Sequence, residues 1–104
     1  MTVSTADAPI VAPISIFKKI VGVEIGEDAG HAPHTLVLTF REGGADERRL
    51  FDMAPLLGIG MFAELAEPAY FRRAFVDEEC ATVAWPRGQD LNPNHFYDES
   101  TPLP

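Results

Sequence analysis

The residues able to do chemistry are few and scattered: three histidines, one cysteine, and sixteen acids set against eight basic residues. His31 and His34 stand close together in "GHAPH", with no C-x-x-C or H-E-x-x-H pattern beside them. Two neutral imidazoles make a weak metal site, so the expectation there is an exposed turn. Cys80 follows "DEE", and neighbouring carboxylates raise a thiol pKa and suppress the nucleophilic thiolate. No serine sits in a G-x-S-x-G elbow, and nothing in the spacing of the acids selects a catalytic pair. The expectation is a domain that is not an enzyme and holds no cofactor or metal.

Two stretches approach a known motif and then depart from it. Starting at Asp90, Asn92 and Asn94 fill positions 3 and 5 of an EF-hand loop, but His95 replaces the turn glycine and Thr101 the bidentate acid. "GIGMFA", residues 58 to 63, fits a dinucleotide fingerprint, with Asp77 further on. That fingerprint needs a strand leading into it, whereas "MAPLL" before it reads as helical.

A mechanical reading explains more of "TVAWPRGQDLNPNHFYD", residues 82 to 98. Pro86 ends a strand after Trp85 because it cannot donate to a ladder. Gly88 supplies a turn with positive φ. Asn92 before Pro93 is an N-cap before a first helical residue, opening a short helix that folds Phe96 and Tyr97 back over the sheet near Trp85.

Around this stretch the pattern is that of a small α+β domain. "ISIFKKIVGVEI" reads as a strand with Val21, Val23 and Ile25 on one face. "TLVLTF" places Leu36, Leu38 and Phe40 together, and "REGGADE" is a loop turning into the strand "RRLFD". Asp52 is a plausible N-cap, with Pro55 in the first turn and Gly58 ending it in a left-handed conformation. "MFAELAE", with Phe62 and Leu65 on a buried face, and "PAYFRRAF" follow as short helical pieces. "AFVD" and "ATVAW" then flank an acidic turn as a second hairpin. The expected architecture is an antiparallel sheet of about five strands, short helices between the third and fourth, and a short C-terminal helical turn. Residues 14–98 form the domain, with 1–13 a flexible arm and 99–104 a flexible tail.

At 104 residues, one domain is expected. No apolar run reaches the ~20 residues that cross a bilayer. The start lacks a basic region and carries Asp7, which argues against an export signal and for the cytoplasm. The net charge of −8 opposes phosphate binding. The basic doublets Lys18-Lys19, Arg48-Arg49 and Arg72-Arg73 form no certain patch, since neighbours on a strand face opposite ways.

The order of these segments resembles the bacterial domain-of-unknown-function family 2442. The resemblance covers roughly residues 16 to 98. It rests on Asp52, Leu56, Leu57, Phe62 and Leu65, then on the terminal signature Trp85, Pro86, Gly88, Asp90, Leu91 and Pro93. It departs in a longer N-terminal arm and in the insertion "GEDAGHAP". The resemblance implies a compact α+β domain with no assigned reaction, sometimes half of a two-protein module of toxin–antitoxin type.

Together these readings lead to a non-enzymatic module that binds another protein. Its acidic turn Asp77, Glu78 and Glu79, with Asp98 and Glu99, offers the exposed charge for a basic partner. The alternative is a small-ligand sensor with a pocket near Trp85. Oligomerisation through an open sheet edge stays open.

Overall fold

A computed structural model describes residues 18–104. The proposed arm at 1–13 lies outside them. The first three strands form a meander: β1 (Lys19–Ile25), β2 (Thr35–Glu42) and β3 (Ala45–Asp52), each antiparallel to the next. Gly43 and Gly44 form the β2–β3 turn, with φ of 61° and 87°. Two consecutive positive φ values match the strands' right-handed twist, which is why the chain carries glycine twice there.

β2 follows its alternation: Leu36, Leu38 and Phe40 are all buried on the core face. β1 does not follow its own. The register shifts between Ile20 and Gly22, so a bulge changes the parity of the strand. Ile20 is buried in place of Val21, which stands 39% exposed.

A 3-10 turn, Ala54–Leu56, and a 3-10 helix, Gly60–Ala66, lead to α1 (Pro68–Phe71). Glu67 is the N-cap of α1, its carboxylate accepting from the Ala69 N–H, whereas the N-cap of the 3-10 turn is Met53 and Asp52, one residue earlier, accepts from the Ala54 N–H. The left-handed glycine in this region is Gly60, φ 48°, rather than Gly58. "PAYFRRAF" stays helical only to Phe71, and Phe75 already belongs to the next strand.

β4 (Phe75–Asp77) and β5 (Thr82–Ala84) pair with each other as a separate two-stranded sheet. The five expected strands are therefore present but divided between two sheets. The hairpin meets β1 near the bulge, where the Ile20 N–H donates to the Ala81 carbonyl at 2.9 Å.

α2 (Pro93–Asp98) and β6 (Thr101–Pro102) complete the chain. β6 pairs with β3, giving the order β1-β2-β3-β6. This corrects the reading of residues 99–104 as a loose tail. Ser100 is buried and tied to Arg49, whose guanidinium donates to the Ser100 hydroxyl at 2.7 Å and to its carbonyl at 2.8 Å.

The core lies between the inner face of the large sheet, α1, β5 and α2. Phe51 meets Phe96 edge-on at 4.8 Å, and Phe71 tilts against Trp85 at 5.9 Å.

Candidate functional site

The Trp85-to-Tyr97 segment is held by a series of hydrogen bonds to the rest of the domain. The Trp85 indole is 1% exposed and donates its N–H to the Phe71 carbonyl at 2.9 Å. β5 ends at Ala84, one residue earlier than the sequence suggests, Pro86 follows Trp85, and Gly88 turns the chain at φ 95°. The Trp85 N–H bonds the Gln89 carbonyl, and Asp90 forms a bridge back to Ala84. Leu91 is half-buried and its carbonyl accepts from the Thr82 hydroxyl. Asn92 caps α2 through its side-chain oxygen on the Asn94 N–H, and Pro93 is the first helical residue.

One central residue carries no sequence signal. Gln89 is 1% exposed, inside a run that reads as a polar turn. Its Oε1 accepts from the Tyr70 hydroxyl at 2.7 Å, and its Nε2 donates to the Met61 carbonyl at 3.1 Å and to Glu64 at 2.8 Å. Arg87 closes the network, its N–H on the Tyr70 oxygen and its guanidinium on Glu64. Its partners lie 19 to 28 residues away, so no local pattern announces them. The network joins the turn to both helical pieces, leaving half-buried Phe62 packed against the core.

Two of the three residues that opened an EF-hand-like series, Asn92 and Asn94, use their side-chain oxygens elsewhere. Asn92 caps its helix, and Asn94 accepts from the Lys18 N–H at 3.0 Å. Among the described residues, no group of three His, Cys, Asp or Glu is placed to hold a metal ion. His34 has φ 61°, its Nε2 lies 3.1 Å from the Ala66 carbonyl, and its ring meets Phe71 edge-on. "GIGMFA" is entered from a 3-10 turn instead of a strand.

The acids fall into two kinds. Asp77 is half-buried and structural, its Oδ1 accepting from the N–H of Glu79 at 3.0 Å and of Cys80 at 3.4 Å. Glu78 and Glu79 are exposed beside it, and Asp98 and Glu99 are exposed at the end of α2. Cys80 is a free, exposed thiol. Asp77 chiefly, then slight burial, Asp90 and Glu79, push its pKa above the ordinary thiol value.

Six of the eight basic residues pair with carboxylates: Lys18 with Glu42, Arg41 with Asp46, Arg48 with Glu24, Arg49 with Glu47, Arg72 with Asp28 and Arg87 with Glu64. The doublet Arg48-Arg49 is divided between the two faces of β3, one arm reaching Glu24 and the other Ser100. Tyr97 gathers three of these side chains around it. Its hydroxyl donates to Glu47 at 2.8 Å, and Arg49 and Lys18 lie 4.1 and 4.4 Å from its ring centre. The Tyr97 hydroxyl and Arg49 hold Glu47 below the usual carboxylate range.

Shallow clefts surround this scaffold. One of 350 Å³ lies between β1 and the β4–β5 hairpin, lined by Lys19, Arg41, Val21 and Val76 among others. One of 130 Å³ lies beside Tyr97. One of 270 Å³ lies between the end of β3 and α2. Trp85 lines none of these three. Among the described residues, no helix is long and apolar enough to cross a membrane. Comparison with protein-family models, curated proteins and solved structures gives no match for the chain.

Proposed function

We propose that this chain is a cytosolic, non-enzymatic module that binds a basic protein, as one half of a two-protein regulatory or toxin–antitoxin-like pair. The observation that carries this reading is the distribution of charge. Most basic side chains are engaged within the domain, while Glu78, Glu79, Asp98 and Glu99 are exposed and in no ion pair among the described residues. Unmatched exposed charge of one sign steers an oppositely charged protein, and the attraction falls with salt.

The sensor reading has less support, because Trp85 is packed and hydrogen-bonded where a pocket wall was expected. Capture from a lysate of the source cell tests the proposal. The tagged chain should retain a specific basic protein at low salt and release it at high salt. A variant carrying Glu78→Gln, Glu79→Gln, Asp98→Asn and Glu99→Gln should retain far less. Asp77 is left intact because it holds the turn. Equal retention by the two proteins, or no specific protein at low salt, overturns the reading.

A further inference from the structure

The cleft between β3 and α2 differs from the others in how its charge is matched. Beside Tyr97, the carboxylates Glu42, Asp46 and Glu47 already meet Lys18, Arg41 and Arg49. The cleft against β1 holds Glu78 but also Lys19 and Arg41, and a cleft beside α1 holds Glu27 but also Arg72, so each carries a cation of its own. The 270 Å³ cleft has an apolar floor of Phe51, Pro55 and Leu56 and a rim of Asp52, His95 and Glu99. Neither rim carboxylate is in an ion pair among the described residues. Asp52 uses Oδ1 on the Ala54 N–H, which leaves its second oxygen to a ligand.

We infer that this cleft receives one arginine side chain from the basic partner, with its aliphatic stem on Pro55 and Leu56 above the buried Phe51 and its guanidinium between Asp52 and Glu99. The inference rests on the protein-binding reading above and names the place of contact. Arginine fits better than lysine, because a flat, weakly hydrated guanidinium stacks on apolar surface while its separate N–H groups reach two acceptors. The floor is already built: Phe51 is held edge-on by Phe96, and His95 approaches it at 6.4 Å from the helix side.

The test uses the peptide acetyl-Gly-Arg-Leu-Arg-Gly-amide at low salt, followed by two-dimensional NMR of the full chain. Saturable shifts should appear at Leu56, His95 and Glu99. They should vanish with the same peptide carrying citrulline, which keeps the shape and removes the charge. Glu99→Gln and Asp52→Asn should each weaken binding by about fivefold, the upper range for one exposed charge pair. Asparagine keeps the acceptor that caps Ala54, so the fold is retained. Equal shifts with the citrulline peptide overturn the inference. Shifts confined to Glu78 and Glu79 overturn it while leaving the protein-binding reading standing. No shift anywhere, together with empty capture from lysate, defeats both.

Discussion

Replacing Gln89 by methionine should cost about 2–4 kcal/mol of folding stability, because the side chain is buried and makes three hydrogen bonds. Methionine keeps the length and removes the polar head, so little of the loss comes from a cavity. Glu64 suffers least, since Arg87 still meets it at 2.8 Å. The Met61 carbonyl loses its Gln89 donor and the Tyr70 hydroxyl loses its acceptor, keeping only the Arg87 N–H, and each such loss at a buried group costs about 1–3 kcal/mol. With a urea slope near the low end for small domains, about 1–1.5 kcal/mol per molar, the unfolding midpoint should fall by about 1–4 M. Tyr70→Phe removes one of the same bonds and should cost about 1 kcal/mol. Urea unfolding followed by Trp85 fluorescence measures both. A Gln89→Met midpoint indistinguishable from that of the unsubstituted chain would refute the role of this network.

Other consequences are open to direct measurement. Gly26→Ala should destabilise by about 1–3 kcal/mol or more, since a Cβ there would stand 1.9 Å from the Thr35 hydroxyl and 2.9 Å from its backbone carbon; thermal unfolding reads this out. Glu47 is depressed in the folded state, chiefly by the Tyr97 hydroxyl and then by Arg49. Its stabilisation is therefore complete above the ordinary glutamate range and lost as pH falls through the depressed value. Glu47→Gln should flatten the acid side of a stability–pH profile, and an unchanged acid limb would count against the assignment. Cys80 should alkylate more slowly with iodoacetamide than a free cysteine at neutral pH, and Asp77→Asn should speed it while preserving the turn's acceptor.

What the sequence could reveal depended on the range of the forces involved. The β2–β3 hairpin was legible because alternation and paired glycines act within a few residues. The same holds for Pro86, which has no N–H to continue a ladder, and for Asn92, which caps its helix on the Asn94 N–H. Val21 misled because a bulge is a fault in alternation, and Gly22 is the one local sign in "KIVGVEI" of where the parity changes. The closing strand was hidden because its anchor, Arg49 on Ser100, spans 51 residues. Gln89 was hidden for the same reason. Asp77 was legible as part of an acidic turn, but its use as a cap separates it from the exposed Glu78 and Glu79.

The indole N–H of Trp85 offers the most direct measurement of whether residues 82–98 build the fold without doing chemistry. Its proton should exchange with solvent only on global unfolding, with protection equal to the stability obtained in urea. Its NMR signal should stay in place when calcium, zinc or a cell metabolite extract is added. Exchange much faster than global unfolding, or a saturable shift with any of these additions, would contradict the scaffold role and return a binding function to this segment.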